Sequence, residues 1–268
     1  MLEKIHTELF SSPPESMQPR ARIAQSVEHQ TFNLRVQGSS PCSGEKNHYS
    51  LAGVISVDGT DLREGDIAVS SRSQKNCFAR SCLWTKSVDG KVYIAYSVSH
   101  AYSEEDVENI KKGMKLIEHD TCVRFVPRTH QRDYLDIQPK TGCWSYLGAR
   151  GGRQTISLQT PECTGSGVTV HELMHALGFV HEQSRADRDK YVTIMWSNIW
   201  KDRLRNFEKF KTNNLDTPYD YGSIMYAFSE DGELTIVPKR NWNVKIGQRF
   251  GPSDLDIMKI NRMYTCNA

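Results

Sequence analysis

The spacing of apolar residues predicts most of the regular structure between residues 92 and 158. Val92–Val98 alternates apolar and polar positions, as a half-buried strand does. Ser103 and Asp106 have the spacing of a capping box, which begins a helix. Apolar residues then follow at helical spacing, at Val107, Ile110, Met114 and Ile117. Further strands are predicted at Cys122–Val126, Tyr134–Ile137 and Gln154–Leu158.

The second half of the chain has fewer regular signals. The pattern predicts a helix from about Ser166 to Leu177 and another near Asn198–Phe210. A last helix begins at Ser253, with Asp256 as its capping partner and Ile257, Ile260 and Tyr264 on its buried side. Strands with one helix, followed by an irregular half with helices, indicate an α+β enzyme with its cleft between the halves.

The predicted helix at residues 166–177 carries the most specific chemistry. From His171 the chain reads H-E-x-x-H-x-x-G-x-x-H, which fixes five positions over eleven residues. His171 and His175 share one face of a helix, so their imidazoles can converge on one zinc ion. Gly178 allows the chain to turn back, and His181 then adds a third nitrogen.

Glu172 lies beside these ligands and can accept a proton from a water molecule on the metal. Three protein ligands and one water are typical of a catalytic zinc rather than of a closed structural zinc. H-E-x-x-H alone occurs by chance in many chains, but the extended pattern favours a site for one Zn²⁺ per chain.

Charge and composition exclude some classes of partner. The chain of 268 residues has 34 basic and 32 acidic residues, for a net charge of +2. This balance predicts no nucleic-acid or membrane-surface partner. No apolar run approaches the length of a membrane span.

The seven cysteines indicate whether the protein works in a reducing or an oxidising compartment. Six of them fall within Cys77–Cys266, the region of the zinc motif, and Cys42 stands apart. Reduced thiols in a cytosolic enzyme are one interpretation. Six cysteines in one domain favour disulfides and an oxidising compartment, and therefore secretion.

The amino-terminal segment does not fit secretion. Residues 1–45 contain four prolines and several charges but no apolar core of a signal peptide. They are predicted to be disordered and not to belong to the family of the rest of the chain. We interpret them as a wrong start site or a foreign exon in the gene prediction.

Four motifs give the region of about residues 60–268 a resemblance to the astacins, zinc endopeptidases of the metzincin group. They are Gly142–Ser145, the zinc motif with its extension to Asp189, Tyr219–Met225 and Asp254–Cys266. Cys77 and Cys82, followed by Leu83 and Trp84, are similar to fish hatching enzymes of the choriolytic type.

The resemblance implies a two-lobed catalytic domain of the zincin type. The amino-terminal lobe holds a twisted sheet, antiparallel at its edge, and the zinc helix, while the irregular carboxy-terminal lobe ends in a helix. An extended peptide or protein substrate pairs antiparallel with the strand Gln154–Leu158, taken as the edge strand. The domain is expected to be a monomer. The implied disulfides are Cys122–Cys266, Cys143–Cys163 and Cys77–Cys82.

The resemblance also implies a latent precursor. Glu64-Gly65-Asp66 is similar to the family's propeptide motif, in which the aspartate takes the place of water on the zinc, although residue 63 is Arg rather than a bulky apolar residue. The implied domains are a propeptide remnant at 46–72 and a catalytic domain at 73–268. A trypsin-like protease would cut after Arg72, and Glu182 would pair with the new amino terminus.

One motif departs from the family pattern. The family's Met-turn reads S-x-M-H-Y, with its methionine beneath the zinc and its tyrosine stabilising the oxyanion. Here Met225 is followed by Tyr226 and Ala227. A short deletion after Met225 is one explanation, and Tyr226 as the replacement transition-state stabiliser is the other.

The sequence therefore predicts a secreted zinc endopeptidase, with egg-envelope proteins as the substrates that the resemblance suggests. The alternative is a zinc-loaded binding protein whose catalysis is impaired by the altered Met-turn. An intracellular protein with a structural zinc is disfavoured by the open three-histidine site.

Overall fold

The computed structural model describes residues 55–69, 82–226, 234–241 and 243–266. The segment 1–45 and the residues Arg72, Ser73 and Cys77 lie outside these ranges, so the expectations that concern them stay predictions. The chain divides into two units, Met1–His48 and Tyr49–Ala268. All described residues belong to the second unit. No helix within them is long and apolar enough to cross a membrane.

An eight-stranded mixed sheet forms the first lobe. Its strands are β1 Ile55–Val57, β2 Thr60–Arg63, β3 Ile67–Val69, β4 Val92–Val98, β5 Val123–Pro127, β6 Tyr134–Gln138, β7 Cys143–Tyr146 and β8 Arg153–Leu158. Their order in the sheet is β1-β2-β3-β7-β8-β6-β4-β5. Strands β4, β5, β6 and β8 are parallel, and β7 adds antiparallel to β8. The predicted strands and the α+β class are thus confirmed.

The prediction that Gln154–Leu158 is the edge strand is wrong. This segment is β8, and it lies inside the sheet between β6 and β7. Beyond β7 the sheet continues into β3, β2 and β1, which precede Arg72 and belong to the expected propeptide. Without these three strands, β7 is the edge. The apolar pattern of β8 could not reveal its neighbours, because β7 is short and has only two buried positions.

Within the described ranges, three α-helices complete the framework. They are α1 Glu104–His119, α2 Ser166–Ala176 and α3 Asp254–Tyr264. Helices α1 and α3 begin with the predicted capping boxes, Ser103 with Asp106 and Ser253 with Asp256. The buried face of α1, with Ile110, Met114 and Ile117, lies in one core cluster with the apolar side chains of α2 and the central strands.

The second lobe is mostly irregular. Its two-stranded sheet pairs β9 Val192–Ile194 antiparallel with β10 Ile236–Pro238. The helix predicted near Asn198–Phe210 is present only as 3₁₀ turns at Trp196–Asn198 and Lys201–Phe207. Neither turn has a fully buried residue, and Leu204 and Phe207 are only partly buried against the apolar side chains of this lobe. Little packing therefore supports a full α-helix there.

Two disulfides connect distant parts of the described chain, Cys122–Cys266 and Cys143–Cys163. The first one spans 144 positions. In the chain-entropy model, closing so long a loop stabilises the fold by on the order of 5 kcal/mol. Cys82 is also disulfide-bonded. Its expected partner Cys77 lies outside the described ranges.

The close contact of α1 with α2 gives a stability prediction. A Cβ atom on Gly113 would lie 2.8 Å from the Ser166 carbonyl oxygen and from Thr169 Cβ. Alanine normally stabilises a helix relative to glycine. We nevertheless expect Gly113→Ala to lower the free energy of unfolding by about 1–3 kcal/mol, because the helices must move apart.

Urea unfolding measures this change, with Lys112→Ala on the exposed face of α1 as the control. The control should change the free energy of unfolding by less than about 0.5 kcal/mol. An increase in stability for Gly113→Ala would contradict the proposed close packing.

Candidate metal centre

Helix α2 holds the first two histidines in the interior of the protein. Nine of its eleven residues are buried. Such a helix is supported by packing on all sides rather than by one apolar stripe. It ends at Ala176, and Gly178 in the following turn has φ +105°. The amide groups of Gly178 and Phe179 donate to the carbonyls of His175 and Met174, so the chain turns back as predicted.

Three imidazoles and one carboxylate converge beyond this turn. The ligand atoms of Asp66, His171, His175 and His181 all lie within 4.8 Å of one another. The Nε2 atoms of His171 and His181 are 3.3 Å apart. This matches the roughly 3.3 Å between two ligands of a tetrahedral zinc with bonds of about 2.0–2.1 Å. The buried Nε2 of His175 makes no hydrogen bond to the described residues. The donor set therefore fits zinc.

In each histidine, the contact made by Nδ1 fixes the direction in which Nε2 points. His171 Nδ1 lies 2.8 Å from the carbonyl oxygen of Ile224, and His175 Nδ1 lies 2.8 Å from that of Phe179. His181 Nδ1 lies 2.8 Å from the Glu64 carboxylate. When Nδ1 donates a proton to such an acceptor, Nε2 is left free to bind a metal.

The Asp66 carboxylate lies close to all three histidines. Its carboxylate oxygens lie 3.1 Å, 3.4 Å and 3.0 Å from the Nε2 atoms of His171, His175 and His181. The side chain is carried by the turn between β2 and β3, where Glu64 and Gly65 both have positive φ. The carboxylate thus lies where a fourth ligand would bind.

Electrostatics in this buried site act in opposite directions on His171 and His181. Burial lowers the pKa of His171 to about 3, so its imidazole is neutral. Burial also favours neutral His181, but the carboxylates of Asp66 and Glu64 outweigh it and raise the His181 pKa to about 10. A zinc ion at Nε2 competes with that proton, so binding the metal releases it.

Glu172 is buried next to the ligands without being one of them. Its Oε2 atom makes no hydrogen bond to any described residue. Burial and the nearby Asp66 carboxylate raise the pKa of Glu172 well above its usual value. Removal of Asp66 therefore removes one of the causes that keep Glu172 from ionising.

Comparison with known proteins identifies the family to which the chain belongs. The sequence profile of the peptidase family Astacin matches residues 82–265. The chain belongs to the astacin family. It is a zinc metalloendopeptidase, as the sequence predicted.

Individual astacins agree with this assignment. The chain is 47% identical over 221 residues to High choriolytic enzyme 1 of Oryzias latipes, and the match covers 80% of this chain and 82% of the relative. It is 48% identical over 213 residues to the Astacin-like metalloendopeptidase of Gallus gallus, covering 77% and 52%. The solved structure of High choriolytic enzyme 1, a hatching enzyme zinc-protease from medaka, has a TM-score of 0.68 and 46% identity, covering 71% of this chain and 98% of that one.

The Met-turn of this astacin lies next to the zinc helix. Met225 is buried in the main core, and its carbonyl accepts a hydrogen bond from the Glu182 amide. The buried carboxylate of Asp256 accepts from Ser223 Oγ and from the amide of Ile224. Because Ile224 also provides the acceptor for His171, helix α3 indirectly positions a ligand histidine.

Tyr226 is not among the side chains that converge on the metal site. It is fully buried in a second core cluster, with Val192, Ile194, Ile199, Tyr219 and Ile236. Its ring lies edge-on to that of Tyr219, with 6.3 Å between the centroids. Burial raises the Tyr226 pKa, so the hydroxyl stays protonated. Its proposed role as transition-state stabiliser remains a prediction.

Glu182 has several partners in this structure. Its carboxylate accepts from Lys259 Nζ, from Arg185 Nη1 at 3.0 Å and from the Asp220 amide at 2.8 Å. An amino terminus produced by cleavage would have to share this carboxylate with Lys259. The pairing of Glu182 with that terminus remains a prediction.

Sequence reasoning missed two residues of the site. The sequence indicates Glu64 only as part of a propeptide motif and does not single out Arg249. The Arg249 guanidinium donates to the carbonyls of Ile224 and Tyr226 and remains charged, although burial lowers its pKa to about 10. The E-G-D motif is the only signal for Glu64, and none is present for Arg249.

The position of Tyr226 leads to a prediction on activity. We expect Tyr226→Phe to keep kcat within about twofold, because the hydroxyl lies in a core cluster. Loss of an oxyanion donor typically costs about 10²–10³-fold in kcat. A peptide-cleavage assay of the mature enzyme separates the two outcomes.

Tyr219→Phe, in the same cluster, is the matched control. If Tyr226→Phe lowers kcat a hundredfold and Tyr219→Phe does not, then Tyr226 is the transition-state stabiliser.

Proposed function

We propose that the chain is the latent precursor of a secreted endopeptidase that cleaves proteins of an egg envelope. The observation that carries this proposal is the Asp66 carboxylate lying within 3.4 Å of all three histidine Nε2 atoms. The names of its medaka relatives, a choriolytic and hatching enzyme, support the substrate class. The disulfides support secretion.

His171, His175 and His181 would hold the zinc, which when bound polarises the scissile carbonyl and lowers the pKa of water toward about 7. Glu172 accepts the proton of the attacking water and then donates it to the leaving amine. Glu172 is buried and therefore shielded from bulk solvent.

The edge strand of the catalytic sheet, β7, offers the backbone groups with which a substrate would pair. In the precursor, β3 lies parallel to β7, with Ile67 opposite Ser145 and Ala68 opposite Tyr146. A substrate that pairs antiparallel with β7 would occupy the same edge in the opposite chain direction. The propeptide therefore blocks both the strand edge and the metal.

Activation needs a cut between Asp66 and the catalytic domain. Arg72–Ser73 is a sequence that a trypsin-like protease accepts. The cut frees β1–β3 and Asp66 from the covalent chain, and they can then leave β7 and the histidines. The catalytic domain would act as a monomer on an extended peptide. Neither the described residues nor the relatives favour the alternative of an impaired binding protein.

The test of this function is Glu172→Gln in the mature enzyme. The variant should retain zinc, because Glu172 is not a ligand, and lose its proton acceptor. We expect kcat to fall about 10²–10⁴-fold. A casein assay with metal analysis measures both quantities.

Glu108→Gln, on the exposed face of α1, is the control and should behave as the parent. Activity of Glu172→Gln within twofold of the parent would exclude Glu172 as the base.

Latency gives a separate prediction. The uncut chain should be inactive because Asp66 occupies the position of the catalytic water. Asp66→Ala should give the uncut chain partial activity, because the substitution frees the metal while β3 still covers the edge of β7. Asp61→Ala, on the exposed side of β2, should leave the chain latent. An assay with a small peptide, alongside intact-mass analysis to verify that the chain is uncut, distinguishes these cases. A fully active uncut parent chain would refute the role of Asp66.

A further inference from the structure

The three ligand histidines differ in which part of the chain provides the acceptor for Nδ1. His171 and His175 use carbonyl oxygens of Ile224 and Phe179, which lie in the catalytic domain. His181 uses the carboxylate of Glu64, which precedes Arg72. Cleavage near Arg72 therefore separates the acceptor of His181 from the catalytic chain and leaves the other two acceptors in it.

Glu64 is held in the site by its surroundings. The Glu64 and His181 side chains are both fully buried. The Glu64 backbone has φ +58°, which is uncommon for a residue with a side chain. Gly65 follows with φ +94°, so the turn directs Glu64 and Asp66 to the same group of histidines. The two carboxylates contact different nitrogens of His181, since Glu64 contacts Nδ1 and Asp66 contacts Nε2.

Among the described residues, His181 is the one side chain that forms a hydrogen bond with the Glu64 carboxylate. Within the described residues, its Oε1 atom makes no hydrogen bond, and no lysine or arginine forms an ion pair with the carboxylate. A carboxylate that accepts from Nδ1 fixes the tautomer and the ring orientation of a ligand histidine, and makes it a better donor to the metal.

We propose that Glu64 is a positioning residue that strengthens zinc binding through His181 in the precursor. This inference rests on the proposed function, because it takes residues before Arg72 as a removable propeptide. The propeptide then has two separable effects on the metal site. Asp66 blocks the fourth ligand position, and Glu64 orients the third histidine while the chain acquires zinc. Maturation ends both effects.

The test measures zinc affinity of the intact precursor by competition with a fluorescent chelator. Loss of such a partner typically lowers metal affinity about 10–100-fold. We expect Glu64→Ala to lower zinc affinity by about that factor, and Glu64→Gln, which keeps an acceptor oxygen without the charge, to lie between Ala and the parent. Asp61→Asn, on the exposed side of β2, is the control and should bind zinc as the parent does.

Two further measurements separate positioning from folding. After cleavage at Arg72, the Glu64 variants and the parent yield the same catalytic chain, so equal activity shows that the variants folded correctly. The visible spectrum of the cobalt-substituted precursor should change for Glu64→Ala, because the ligand geometry changes. Zinc affinity of Glu64→Ala within twofold of the parent would overturn the proposal.

The result is independent of the latency test. If Asp66→Ala fails to activate the uncut chain but Glu64→Ala weakens zinc binding, the proposed latency fails and the role of Glu64 stands. If the zinc affinities are equal and the uncut parent is inactive, only the role of Glu64 fails.

Discussion

Each ligand histidine has two ring nitrogens, and the site depends on holding one of them so that the other faces a common point. Carbonyl oxygens do this for His171 and His175, and a carboxylate does it for His181. The carbonyl of Ile224 is itself held in place, because Asp256 at the start of α3 binds the Ile224 amide. The last helix of the chain thus contributes to the geometry of a ligand more than 80 residues earlier.

Features that are encoded locally were predictable from the sequence. The capping boxes at Ser103 and Ser253 place side-chain acceptors next to free backbone amides, and the signal lies within four residues. The zinc motif combines helical spacing with a glycine turn, and Gly178 takes the positive φ that this turn requires. The resemblance to a family added the disulfide pairs, which spacing alone leaves open.

Features that depend on distant contacts were not predictable. The strand β8 has an apolar pattern typical of an edge or of an interior strand, and only its pairing with β7 decides which. The segment 201–207 packs on its lobe only through partly buried side chains, Leu204 and Phe207, and it forms a 3₁₀ helix rather than the predicted α-helix. Glu64 reads as a surface residue, because nothing near it in sequence indicates that His181, more than 100 positions away, will bury it.

The Cys122–Cys266 disulfide determines what a single proteolytic cut does to the catalytic domain. It closes the chain into a covalent ring that contains His171, Glu172, His175 and His181. A single nick within this ring releases no fragment, because both pieces stay joined through the disulfide. A second nick is needed before any part of the metal site can diffuse away. The disulfide therefore keeps both pieces of a singly nicked domain covalently together, whereas a chain without it would hold them only by non-covalent contacts.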